Sequence, residues 1–378
     1  MDILFITDQV YLHGGIERVL SVKANYLAKK KVYRIHIITS EQKNHAPCYD
    51  FHKNIQFSDL GINYIRNKSY FHPLNLIKLP KHIICLRKQI NRINPDVIVV
   101  CSHSTDTFFI PLLFPNIPTV KEFHFSKHAQ NEKKERTKGL LRKLVQKYSN
   151  YIESKYDKLV LLNKDEALYY KTKNTVIIPN PVTFFPSTVP YRRKKIALAA
   201  GRIAWVKGFE FMIEAWHKVH SEVEDWQLHI YGEGDPYYTN SLKEKVKALG
   251  LENKIYFLGN SDHIQKIMMS AGLFLMTSHN ECFPLVLLEA QACGLPVVSF
   301  DCPNGPRNIL DGESGILVPM GNINLFADSV LKFIQNPDFS KLLIDKAQDN
   351  VKKYSLTEVM PLWEELFANL TNKSLLSA

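Results

Sequence analysis

The chain lacks the features that would assign it to several large classes of protein. Its six cysteines, at positions 48, 85, 101, 282, 293 and 302, include no C-x-x-C pair. Neither a disulfide framework nor a zinc site is therefore expected, and a reducing compartment is. No apolar run approaches the roughly 20 residues that a membrane-spanning helix needs. The opening Met1-Asp2-Ile3-Leu4-Phe5-Ile6-Thr7-Asp8 has an acid near each end and reads as a first strand rather than a signal peptide. Neither G-x-G-x-x-G nor a Walker sequence occurs, so the usual grounds for a dinucleotide or an ATPase site are missing. D-x-D is also absent, and with it the carboxylate pair that often holds a diphosphate-bound metal. There is no nucleic-acid motif, fixed-period repeat or low-complexity tract.

Acids are scarce in one half only. Residues 1–190 hold 29 Lys+Arg against 15 Asp+Glu, a balance of +14, whereas 191–378 hold 19 against 22, or −3, and the two sum to +11. Such asymmetry predicts different partners for the two halves. The most basic stretch, Lys121–Lys147, has nine Lys+Arg and three Glu, with Leu140, Leu141, Leu144, Val145 and Tyr148 at helical spacing. A basic amphipathic segment can lie on an anionic membrane surface; it can equally be the solvated face of an ordinary helix. The expectation is a cytoplasmic chain, peripheral on the inner membrane face, that binds no nucleic acid.

What the chain does have is alternation. Ile3–Thr7, Tyr33–Ile38, Val97–Cys101, Thr119–Glu122 and Leu159–Leu162 read as strands, with helices such as Glu17–Lys29 and His82–Arg92 between them. A Pro-rich break runs from Asn180 to Pro190. A second set follows at Ile196–Ala200, Gln227–Tyr231, Ile255–Leu258, Leu273–Met276 and Val297–Phe300. Regular βαβ alternation on both sides of a break predicts an α/β protein with two doubly wound parallel sheets. Near the end, Val359, Met360, Trp363, Leu366, Phe367 and Leu370 form one apolar helical stripe that must pack somewhere, with the first domain as one option.

Four loops at strand ends could carry chemistry. His13-Gly14-Gly15 precedes a helix N-terminus and lets backbone approach a ligand, or is a plain tight turn. Gly201-Arg202-Ile203-Ala204-Trp205-Val206-Lys207-Gly208 offers a planar fork and a point charge, enough for a diphosphate, or simply two solvated cations. Tyr231-Gly232-Glu233-Gly234, with Gly259-Asn260 one unit later, leaves room for a flat base or merely turns the chain. Glu122-Phe123-His124-Phe125 places a histidine at a strand end, where a backbone-bonded core histidine is the blander reading. His103 has the same ambiguity.

The stretch that organises these is Asn280–Pro296, NECFPLVLLEAQACGLP. Glu281 lies in a loop after an apolar strand, Pro284 suits the first helical position, and Gly294 with Pro296 ends the helix. Glu289 follows eight positions after Glu281. At about 1.5 Å per helical residue that is roughly 12 Å, the span of an elongated ligand rather than of one metal or one water.

Taken in order, GRIAWVKG, LHIYGEGD, IYFLGN and SHNECFPLVLLEAQACGLPVVSF resemble the family-4 retaining glycosyltransferases of GT-B architecture, with E-x7-E at Glu281 and Glu289. The likeness is strong over about Lys195–Gly321 and weaker before it, where it rests on FITDQVYLHGGIERV and the EFH stretch. It implies two Rossmann-like domains facing across a cleft. One, at 1–185, would bind the acceptor, with a returning helix at about 357–372. The other, at 191–356, would bind the sugar nucleotide. It further implies that Arg202, Lys207 and Gly15, with amides near Phe283 and Leu285, hold a donor diphosphate. Glu281 and His124 would face the reacting sugar and Glu289 the ribose, while Gly232, Gly234 and Asn260 flank the base. No metal or other cofactor is implied. The expected reaction is hexosyl transfer from a nucleoside-diphosphate sugar, UDP-linked by family frequency, to a saccharide or lipid-linked saccharide of a surface polysaccharide or glycolipid. A sugar-nucleotide epimerase or glycoside hydrolase on the same architecture and a non-catalytic sugar-nucleotide-binding module are the alternatives. Hydrolysis needs carboxyl groups about 5–10 Å apart.

Overall fold

A computed structural model describes residues 1–101, 104–128, 140–190, 193–310 and 313–371. His103 and most of the basic stretch after His128 lie outside the described residues. The chain divides into two compact units, one made of Met1–Pro181 with the segment from Leu356 onward, the other of Val182–Ser355.

In the first unit the described residues form seven strands: β1 (Asp2–Thr7), β2 (Arg34–Thr39), β3 (Gln56–Asp59), β4 (Val97–Val100), β5 (Thr119–Glu122), β6 (Lys158–Leu161) and β7 (Thr175–Ile177). Their order is β3-β2-β1-β4-β5-β6-β7, all parallel. Ile3 pairs with Ile35 on one side and Val97 on the other. Every residue of β1 and β4 is buried, as a parallel sheet covered on both faces requires. The helices α1 (Gly15–Ala28), α2 (Leu79–Ile93) and α3 (Leu140–Glu153) belong to this unit.

The second unit's strands are β8 (Ile196–Ala200), β9 (Gln227–Tyr231), β10 (Ile255–Phe257), β11 (Leu273–Met276), β12 (Val297–Asp301) and β13 (Ile316–Pro319). They lie parallel in the order β10-β9-β8-β11-β12-β13. The longer helices here are α4 (Phe209–Glu222), α5 (Leu285–Ala292), α6 (Ile323–Gln335) and α7 (Pro337–Lys352). Strand order reverses between β8 and β11, and ligands of open α/β sheets bind outside the carboxyl ends of the strands at such a switch point. The two loops that leave this point are 201–208 and 277–284.

The last helix, α8 (Leu356–Thr371), belongs to the first unit. Its stripe of Val359, Met360, Trp363, Leu366 and Phe367 lies in one core with Ile3, Phe5, Leu20 and Val97. Lys30 Nζ donates to both carboxylate oxygens of Glu364, at 2.7 and 2.8 Å. Lys23 Nζ stands 4.2 Å from the Trp363 ring centre.

Candidate active site

The two switch-point loops are zipped together. Thr277 Oγ1 donates to the Gly208 carbonyl at 2.8 Å, and the His279 amide donates to the Val206 carbonyl at 2.8 Å. Gly208 has φ +62°, and a Cβ there would come within 2.1 Å of the Thr277 carbonyl oxygen. Only glycine satisfies both conditions. The turn it closes, Trp205–Lys207, presents Lys207 to the other loop, where its Nζ lies 2.6 Å from Glu281 Oε1. Ser278 Oγ donates to the same oxygen at 2.8 Å. Glu281 is mostly buried and forms a backbone bridge with Asn304. Burial, reinforced by the Glu281 carboxylate, pushes the Cys302 thiol far up. Arg202 is exposed on the same loop as Lys207.

Glu281 does not sit on a helix. Pro284 is the N-cap of α5, with φ −72° and ψ +99°, and the helix begins at Leu285, one residue later than the spacing predicts. The helical rise therefore applies only from Leu285 to Glu289, so the 12 Å figure does not describe the separation of the two acids. No side chain caps the helix. The Leu287 amide bonds to the Pro284 carbonyl at 3.0 Å, and the first amides of α5 are of the kind that bind an anion. Phe283 is buried, its ring 5.7 Å from that of Tyr354. Leu285 is half-buried at the first helical position. Glu289 is 5% exposed and accepts a hydrogen bond from Thr183 Oγ1 at 2.7 Å.

The glycine loop after β9 packs on the loop after β8. A Cβ on Gly232 would lie 1.9 Å from the Gly201 carbonyl oxygen, and one on Gly234 1.8 Å from that of Ile203. Close approach of backbone to backbone is thus sufficient reason for glycine at both positions. The Gly232 amide bonds to the Gly259 carbonyl at 2.8 Å, which puts exposed Asn260 beside this loop. Sequence reasoning missed Thr183, Ser278 and Asn304. It also missed His279, which stacks on Trp205 at 4.2 Å and bonds to Glu210 at 2.8 Å. For Ser278, His279 and Asn304 the sequence signal was proximity to the motif; Thr183, which is 106 positions from Glu289, gave none.

In the first unit Gly15 opens α1 and extended Gly14 caps it. Glu17 folds back over that end: Gln9 Nε2 donates to Glu17 Oε1 at 2.5 Å, and a Cβ on Gly14 would lie 2.3 Å from Glu17 Oε2. Burial raises the Glu17 carboxyl, and a bond to its own amide opposes the rise. His124 Nε2 lies 3.1 Å from Glu122 Oε2, and Lys23 pairs with the same oxygen. Burial would push the Glu122 carboxyl up, but the Lys23 charge and then the His124 bond outweigh it and hold the group at about 2. Burial pulls His124 below the ordinary imidazole value, partly offset by Glu122. Beside them Lys121 is fully buried, which lowers its ammonium to about 8. Among the described residues no group of three or more His, Cys, Asp or Glu is arranged to hold a metal ion.

Residues 13–184 match the model of Glycosyltransferase Family 4, and residues 183–350 match that of Glycosyl transferases group 1. An uncharacterized glycosyltransferase of Haemophilus influenzae is 26% identical over 359 residues, which cover 93% of this chain and 95% of that one. The amylovoran biosynthesis glycosyltransferase AmsD of Erwinia amylovora is 28% identical over 221 residues, 56% of this chain and 62% of that one. Other curated relatives are matched over 24–64% of their length. The Anabaena protein HepE, solved with UDP, superposes with a TM-score of 0.76 at 17% identity, covering 98% of this chain and 100% of that one. The two matched regions meet at residues 183–184 and span the two doubly wound units of the GT-B fold: the chain belongs to the family-4 glycosyltransferases.

Proposed function

We propose that the protein is a retaining, metal-independent hexosyltransferase that takes its sugar from a nucleoside-diphosphate donor, with UDP as the base carrier. The observation that carries this reading is the contact of Lys207 with Glu281 at the strand-order switch of the second unit. A cation and an acid side by side, next to an uncapped helix N-terminus, match a ligand that is anionic in its middle and hydroxyl-rich at one end. Lys207 and Arg202 neutralise the diphosphate with the amides near Phe283 and Leu285. Glu281 accepts from sugar hydroxyls. Glu289, already accepting from Thr183, takes the ribose hydroxyls. Gly232, Gly234 and Asn260 flank the base.

In the reaction the bond from the anomeric carbon to the diphosphate oxygen breaks and a bond to the acceptor oxygen forms on the same face. The acceptor proton passes to the leaving diphosphate, so atoms and charge balance without a covalent enzyme intermediate. Cations and helix amides aimed at the developing charge lower the barrier because they are in place beforehand. His124 and Gly15 serve the reacting sugar and the diphosphate. The acceptor proposed is a saccharide or lipid-linked saccharide of a surface polysaccharide or glycolipid, in keeping with the amylovoran relative, while HepE, which was solved with UDP, supports the donor. The proposed setting is the cytoplasmic side of the membrane; among the described residues no helix is long and apolar enough to cross it.

A thermal-shift panel of UDP-, GDP- and other sugar nucleotides, run with chelator, tests the donor. Mass action raises the midpoint for the right donor at concentrations well above its Kd. A shift that appears only with added divalent metal overturns metal independence, and a shift for no sugar nucleotide overturns the reading.

A further inference from the structure

The first unit buries a lysine on the apolar face of a helix. The inward face of α1 carries Val19, Leu20, Ala24 and Leu27, and Lys23 falls on it, four positions after Val19 and four before Leu27. Lys23 is 2% exposed, a place where lysine is rare unless its charge is paired. Its ammonium meets the carboxylate of Glu122 at the end of β5, whose side chain is just as enclosed. The ring of Trp363, on α8, has its centre 4.2 Å from Lys23 Nζ, and that of Phe5, on β1, lies at 6.0 Å. Glu122 Oε2, the oxygen that pairs with Lys23, also lies 3.1 Å from His124 Nε2. Glu122 Oε1 accepts from the Cys101 thiol at 3.5 Å. Lys121 adds a second buried cation to the surroundings of His124. On α8 the acid next to Trp363, Glu364, is taken by Lys30.

Such a pair is a poor device for stability alone, because two apolar side chains of similar size would hold α1 against β5 as well or better. What it secures is the charge on Glu122. Burial acts to neutralise that carboxyl, and the Lys23 charge is the largest cause opposing it. A carboxylate offers only acceptors. The ring nitrogen that faces it, Nε2 of His124, therefore carries the proton, and Nδ1 is left as the acceptor. We infer that Lys23 is a positioning residue that acts through Glu122 on His124, fixing the imidazole in its neutral Nε2–H form so that Nδ1 can accept from a hydroxyl of the reacting sugar. The inference rests on the proposed place of His124 beside that sugar. Burial first, and then the charges of Lys23 and Lys121, disfavour an imidazolium at this position, and Glu122 favours one. Trp363 completes the arrangement, since its ring attracts the ammonium and shuts out the water that would otherwise solvate it.

Nitrogen NMR spectra of the full chain, isotopically labelled at histidine, test the inference, with His124→Gln identifying the signals of His124. The parent should show a neutral Nε2–H ring at neutral pH. Lys23→Met keeps the length of the side chain and removes its charge, so a further proton should settle on the Glu122–His124 pair and that form should be lost. The kcat should then fall by at least about tenfold, the usual cost of removing a partner that orients a working histidine. The acid limb of the rate profile should move to higher pH, while the Kd of the free nucleotide stays at the parent value. The double variant Lys23→Met/Glu122→Met leaves no stranded charge, so it should fold even where the single variant does not, and it should lose kcat in the same way. A parent ring in the Nδ1–H form overturns the inference, and so does the parent's kcat in either folded variant. Because the nitrogen spectrum needs no sugar nucleotide, failure here is told apart from failure of the donor reading.

Discussion

Lys207 and Glu281 are 74 positions apart in the chain, and their side chains meet at 2.6 Å. Removing either is expected to lower kcat/KM by about 10²–10³, the usual cost of losing one preorganised group aimed at developing charge. The double variant Lys207→Ala/Glu281→Ala should lose less than the product of the two single losses, because each single change strands a half-buried charge. Initial rates of nucleotide release in the presence of acceptor measure all three. Fully multiplicative losses would show that the two residues act independently.

Thr183→Val removes the donor to Glu289 Oε1 and keeps the shape. The expected result is a Kd for the donor nucleotide changed by less than about tenfold, with kcat nearly unaltered, since the bond is already made without ligand and the loss of about 1.5–3 kcal/mol for a bond to a charged group falls mainly on stability. Glu289→Ala should weaken binding by about tenfold to a hundredfold. Titration calorimetry with the free nucleotide separates these outcomes from a catalytic defect.

Gly208→Ala confronts both a left-handed backbone and the Thr277 carbonyl. Strain and overpacking together should cost about 2–4 kcal/mol. For a unit of this size that is a fall of roughly 5–15 °C in melting temperature. Scanning calorimetry reads it directly, and an unchanged midpoint would mean that the two loops part easily.

The Glu122 carboxyl, at about 2 in the folded protein, lies below its ordinary value of 4.5. The unfolded chain therefore binds the proton more tightly. The stability that Glu122 contributes is present above pH 4.5 and disappears as pH falls toward 2. Lys121 acts in the opposite sense on the alkaline side: with its ammonium lowered to about 8, it disfavours folding below pH 8, and that cost fades as pH climbs toward the ordinary lysine value. Glu122→Gln should flatten the acid limb of a urea-unfolding profile taken from pH 5 to 2. It should also shift the acid limb of the rate profile, because His124 would lose its carboxylate partner.

Trp363 is 2% exposed and packs in the core of the first unit. Trp363→Ala should cost about 3–5 kcal/mol, whereas Leu362→Ala, at an exposed position of the same helix, should lie within about 0.5 kcal/mol of the parent. Chemical denaturation of both variants checks the contrast.

The central strands of both sheets were legible because a strand buried on both faces must be apolar throughout, as at Ile3–Ile6 and Leu273–Met276. The short edge strands were not: both are largely exposed or half-buried, Gln56–Asp59 carries no apolar signature, and Thr175–Ile177 is only three residues long. Arg202, Lys207, Glu281 and Glu289 could be singled out through the order of the motifs and the family resemblance, since a charged loop residue taken alone reads equally well as a solvated one. Their partners could not. Thr183 and Ser278 are ordinary loop residues until the fold brings a carboxylate to them. For the glycines at 232 and 234 the structure adds a reason the sequence could not show: the crowding there comes from the neighbouring loop's own carbonyls.

The route of the chain has a consequence for how the protein is made. The first unit is interrupted by the whole of the second and lacks Trp363 and Phe367 until α8 has been synthesised. Residues 182–355 are contiguous, so the later-encoded unit can finish folding while the earlier one waits with part of its interior unsealed. At a typical translation rate of about 5–20 residues per second, that wait lasts roughly ten to forty seconds. During this interval the nascent chain is most open to chaperones and to aggregation, and any truncation upstream of α8 would make that exposure permanent.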